Sequence, residues 1–152
     1  GPKAPYMLVM VGQEQAVAAS LYPGHNFDYP NVLWPGRLSF EDLTMYVKAV
    51  DSLVFAHGDK HLTSAGPHLS QTYLKPQVCL FSEYNKEVLG DSAFYFQKGD
   101  DITGNLRNCL AGITAEMLKN SAKPLEKQRE EYHWHSIGAK TKSFYEDLLY
   151  GK

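Results

Sequence analysis

The stretch Asp51–Ser82, DSLVFAHGDKHLTSAGPHLSQTYLKPQVCLFS, decides the fold. Ser52–Ala56 (SLVFA) is a short apolar run with β-branched and aromatic residues, the mark of a buried strand. His57–Gly66 is polar and glycine-containing, and reads as a loop at that strand's carboxyl end. Pro67–Leu74 reads as a helix, with proline where a first turn tolerates a missing N–H. Lys75-Pro76 stops it, and Gln77–Phe81 (QVCLF) is a second buried strand. Strand, helix and strand predict a βαβ unit and hence a parallel sheet. In open parallel sheets ligands sit beyond the carboxyl ends of the strands. A helix N-terminus at that edge offers unpaired N–H groups and the positive end of its dipole to a phosphate. Thr63, Ser64, Ala65, Gly66 and His68 are therefore the first candidates for a functional role.

The same alternation extends in both directions. Upstream, Tyr6–Gly12 (YMLVMVG) is a continuous apolar run that predicts a central strand, and Gln13–Gly24 predicts a helix ended by Pro23-Gly24. Asn31–Gly36 predicts a short strand. Ser39 and Asp42 form a capping box for a helix that places Phe40, Leu43, Val47 and Val50 on one face. Downstream, Ser82–Asp91 reads as a polar connection and Ser92–Phe96 as a strand. Asp101 caps a long helix with Ile102, Leu106, Cys109, Leu110, Ile113 and Met117 as its apolar stripe. Pro124 opens a charged helix, HWHS breaks it, and Ser136 caps a last helix with Ile137, Phe144 and Leu148 inward. The expected fold class is α/β. It is a Rossmann-like three-layer domain over residues 6–152, with a parallel sheet of about five strands, helices on both faces and extra C-terminal helices. Gly1-Pro2 resembles a protease scar, which sets residues 1–5 apart as a tail.

Composition narrows the function classes. At 152 residues, 43% apolar and 21% charged, the chain suits one domain with a real core. A net charge of −2 gives no electrostatic case for nucleic acid or an anionic membrane. No apolar run approaches the length of a bilayer span, and no secretory leader is evident. Cys79 and Cys109 lie among apolar residues and read as reduced thiols, so the expected setting is the cytoplasm. The chain lacks Walker A, G-x-G-x-x-G and G-x-S-x-G motifs, which weakens ATPase, NAD-binding and serine-hydrolase readings.

The ordered series of signals resembles the C-terminal, nucleotide-sugar donor-binding half of GT-B fold glycosyltransferases, of the retaining group 1/group 4 kind. LVMVG, NVLWPG, RLSFEDLTMYVKAVDSLVFA and LKPQVCLF fall in that family's order with suitable spacing. EVLGDSAFYFQKGDD is similar to its acidic downstream motif, and YHWHSIGAKTKSFYEDLL to its closing one. TSAGPHLSQTYLKPQVCLF also looks like the heptosyltransferase-type D-T-G-x-x-H-L segment, without the aspartate. The sequence departs from the retaining pattern by holding no glutamate between Glu41 and Glu83, where the family carries E-x7-E. Ser70 or Gln71 stands near the second acidic position, and Asp59 and Lys60 near the first. The family's first strand and helix, and its whole acceptor-binding half, have no counterpart before Tyr6.

The resemblance implies a diphosphate cradle at Thr63, Ser64, Gly66 and His68. A tight strand-to-helix turn is the plain alternative. Arg37 follows a strand's carboxyl end and either clamps a phosphate or is a solvated arginine. Lys60 either neutralises phosphate or is a surface lysine. His57 or His68 touching the donor is favoured over a metal site, because the His57 and His61 spacing needs a helix to converge and the segment reads as loop. With Gln71, these residues make the expected donor site: Arg37, His57, Lys60, Thr63, Ser64, Gly66, His68 and Gln71. Trp134 reads as a packing residue where the chain crosses back. The implied function is binding a UDP- or GDP-type sugar donor for glycosyl transfer, with no metal or other cofactor. The departing diphosphate would be stabilised by helix N–H groups and a basic side chain. Transfer would need an acceptor-binding domain or partner protein. The alternative is a catalytically degenerate glycosyltransferase-like module that serves as a protein-interaction scaffold. A receiver-type regulatory domain is disfavoured, because the first strand ends in Gly12-Gln13 rather than in acidic residues.

Overall fold

The computed structural model of the chain describes residues 6–56 and 65–151. The protein is α/β with parallel strands, as its alternating pattern predicts, and it divides into two compact units, Gly1–Ala49 and Val50–Lys152. In the first unit β1 (Leu8–Val11) pairs in parallel with β2 (Val32–Gly36). Helices α1 (Gln15–Leu21) and α2 (Phe40–Ala49) follow the two strands. Ser39 caps α2 as expected, its hydroxyl accepting the Asp42 N–H at 3.1 Å. The apolar face read for α2 is only partly covered: Val47 is buried, but Phe40 is 75% exposed.

In the second unit β3 (Leu53–Phe55), β4 (Gln77–Leu80) and β5 (Ala93–Phe96) form a parallel sheet in that order. All four residues of β4 are buried, and the alternation of a strand sends them to opposite faces. On one face Cys79 packs with Leu89, Ala93 and Leu125, joined by Phe55, Leu74 and Tyr95. On the other, Val78 and Leu80 pack with Phe96, Leu106, Cys109, Leu110 and Ile113. Helices α3 (Ala65–Tyr73), α4 (Glu83–Leu89) and α7 (Ala122–Glu131) contact one another. Helix α5 (Ile102–Gly112) packs against β5. Helices α6 (Ala115–Asn120) and α8 (Trp134–Tyr150) complete the unit. The expected three layers are present here, whereas the continuous sheet of about five strands is not shown: the described strands pair as sheets of two and three.

Several expectations are corrected by capping and packing. Ser82–Asp91 is not a connection, since Ser82 Oγ accepts the Asn85 N–H at 3.1 Å and starts α4. The long helix over 102–117 is two helices. Ile113 is extended, and Thr114 caps α6 by accepting the Met117 N–H at 3.2 Å. The last helix begins at Trp134 after His133, not at Ser136, whose hydroxyl donates instead to the Glu130 carbonyl at 2.7 Å. Phe144 and Leu148 do not point inward but are 61% and 65% exposed, and Trp134 is exposed rather than packed.

Leu125 is fully buried against Cys79, Leu89 and Ala93. Leu125→Ala should therefore lower the unfolding free energy by about 3 kcal/mol, read from a urea titration. Burial pushes the Cys79 thiol up from 9.0 to about 11. Its neutral form is favoured in the folded chain, so the unfolded chain ionises first. Its contribution to stability should be constant below pH 9 and fall as the pH rises toward about 11, a loss that Cys79→Ala should remove from the pH profile. In iodoacetamide labelling at neutral pH, Cys79 should react only on unfolding.

Candidate functional site

The carboxyl ends of β3, β4 and β5 define the edge where a parallel sheet places ligands. Helix α3 begins beside the end of β3. Gly66, in its first turn, is buried, and a Cβ built there would lie 3.0 Å from Cγ and Cδ1 of Phe55, the last residue of β3. Glycine here lets the helix start rest directly on the strand, the role a glycine has in close helix–strand packing at dinucleotide-binding turns. Pro67 is fully buried and still within the first turn, where its missing N–H leaves no intrahelical bond unmade. The first turn thus belongs to a helix whose start is anchored by packing, with the positive end of its dipole at that start.

His68 follows on the exposed side of that turn. Its Nδ1 lies 3.2 Å from Gln71 Oε1, and its Nε2 lies 3.5 Å from the Tyr84 hydroxyl. Because the amide oxygen can only accept, Nδ1 is the donor of this contact. The Tyr132 ring meets His68 edge-on at 6.5 Å between centroids. Burial, with Glu87 and Glu131 nearby, pushes the Tyr132 hydroxyl up. Gln71 is 3% exposed and donates Nε2 to the Val88 carbonyl at 2.9 Å. Ser70, fully buried, donates to Gln77 Oε1 at 2.7 Å. Both side chains are therefore committed inside the protein, tying α3 to α4 and β4.

Of the expected donor-site residues, Gly66, His68 and Gln71 come together on α3. His57, Lys60, Thr63 and Ser64 lie outside the described residues. Arg37 belongs to the first unit, exposed at the carboxyl end of β2. There Gly12 and Gly36 hold positive φ of 92° and 73°, and the Gly12 N–H donates to the Gly36 carbonyl at 2.8 Å. Glu14 lies across Gly36, its Cγ 3.4 Å from where a Cβ would stand. Sequence reading missed Glu14, although its place two residues after the V-G strand end was a usable signal. It also missed Tyr84, because α4 read as loop.

A cleft of 450 Å³ lies at the opposite edge of the second sheet, among Asp51, Leu74, Lys75, Pro76, Ala115, Leu118 and Lys119. Among the described residues no group of three or more His, Cys, Asp or Glu side chains could hold a metal, and no helix is long and apolar enough to cross a membrane.

Gly66→Ala should cost about 1–2 kcal/mol through the Phe55 contact, overriding the helix-propensity gain. In a Phe55→Leu background the same change should become neutral or stabilising, a reversal that a double-mutant cycle by urea denaturation reads directly.

No family model, curated protein or solved structure matches this chain, so what it can do is set by the residues above.

Proposed function

We propose that the chain is the donor-binding domain of a glycosyltransferase, taking a UDP- or GDP-type sugar at the carboxyl edge of β3–β4–β5. The observation that carries this reading is the start of α3, seated on Phe55 through Gly66, with His68 held on its exposed side. Diphosphate is the ligand chemistry suited to such a start, because it accepts from several N–H groups and is attracted by the positive end of the dipole. Thr63 and Ser64 precede this turn in sequence. Each sheet keeps an order found in doubly wound folds. β1 lies beside β2, and β3, β4 and β5 lie side by side in sequence order, with all pairs parallel. An acceptor-binding domain or partner protein would complete the transferase, and the free, non-disulfide cysteines suit a cytoplasmic setting.

One observation favours a second reading, a glycosyltransferase-like scaffold. Ser70 and Gln71, at the position where a retaining enzyme holds an acidic residue for the ribose, are buried and occupied by internal hydrogen bonds. A protein relieved of donor binding could use those positions for packing.

Titration with UDP, GDP, ADP and their sugar conjugates separates the two. For the donor-binding reading, one nucleotide should raise stability by about 2.7 kcal/mol at a hundredfold excess over its Kd, in a thermal-shift or calorimetric experiment. His68→Ala, on the exposed side of α3, should weaken that response, and Gly66→Asp should abolish it. Silence toward every nucleotide at roughly millimolar concentration would overturn donor binding and leave the scaffold reading.

A further inference from the structure

Helix α8 is 17 residues long, yet none of them is buried. Trp134 is 83% exposed, and Phe144, Tyr145, Leu148, Leu149 and Tyr150 are exposed as well. Apolar side chains on this scale need a partner surface. Their spacing indicates which kind. Trp134, Ile137, Thr141, Phe144 and Leu148 succeed one another at intervals of three, four, three and four, the seam of a two-helix coiled coil.

The charges beside the seam are divided by sign. Lys140 and Lys142 lie in the middle of the helix, and Glu146 and Asp147 one turn further on. Lys140 and Asp147, seven residues apart, occupy the same flank of the seam. In a parallel pair of such helices each would meet a residue of the opposite flank, which is uncharged at Gly138 and Tyr145. In an antiparallel pair like flanks meet, so Lys140 of each copy faces Asp147 of the other, twice by symmetry. The same register sets Ile137 against Leu148 and Thr141 against Phe144. It also brings the small Gly138 beside the bulky Tyr145. In the single chain Lys140 pairs with Glu131 at 3.3 Å, an exposed contact of little worth.

We propose that α8 is a self-association surface, through which two copies of this chain pair as an antiparallel helical dimer. The helix is about 25 Å long, enough for a seam of two heptads on each copy.

Sedimentation velocity of the full chain from about 1 to 200 μM should show a concentration-dependent dimer. Leu148→Glu should give a monomer with an unchanged circular dichroism spectrum, since the residue is exposed. Lys140→Asp alone and Asp147→Lys alone should each weaken dimerisation about tenfold, because each sets like charges face to face twice. The double swap K140D/D147K should restore it. A monomer throughout the range would overturn the proposal and leave this face to a different macromolecule. A dimer indifferent to Leu148→Glu, or a charge swap that fails to restore association, would overturn it equally.

Discussion

Strand β4 is buried on both faces, and the helices and strands of the second unit are arranged around that constraint. A strand with no solvent side must be apolar along its length and must find a separate cover for each face. Val78 and Leu80 find it in α5, whereas Cys79 finds it in Leu89 of α4 and Leu125 of α7. Gln77 is the polar member, and burying it is tolerable because the Ser70 hydroxyl donates to its amide oxygen. That bond also fixes α3 over the strand, so the central strand and the helix at the candidate site are held by one contact.

The start of α3 inherits its position from this arrangement. Ser70 and Gln71 anchor the helix from below, Gly66 lets it close onto Phe55, and Pro67 fills the space between. A helix start held in this way has its direction fixed by the strand and helix beneath it. Buried and occupied, Ser70 and Gln71 are structural parts of this anchor, whereas His68 stands exposed on the same helix. The lysine-lined cleft at the opposite sheet edge stands at the amino ends of the strands, away from that helix start.

The contrast between the two ends of the second unit is instructive. Its core contains adjacent apolar residues in strands, shielded on each side. Its last helix carries aromatic and aliphatic residues of comparable size that meet no core at all. Residue type alone does not separate these cases, because Leu125 and Leu148 are chemically identical and only one has neighbours.

By itself the sequence determined the α/β alternation, the parallel strands and the caps at Ser39 and Asp101. These follow from short-range physics: β-branched runs prefer strands, and short polar side chains satisfy the first free N–H groups of a helix. It also located Gly66 and His68 at a helix start after a strand. It left α4 hidden because its buried residues, Val88 and Leu89, are neighbours in the chain and show no helical period. Tertiary structure alone decided how the strands divide between sheets, since register and neighbour choice depend on residues far apart in sequence. It alone decided that Gln71 turns inward to the Val88 carbonyl, and that the stripe on α8 faces outward. Both outcomes depend on what stands opposite a side chain in space, and no pattern along the chain records that.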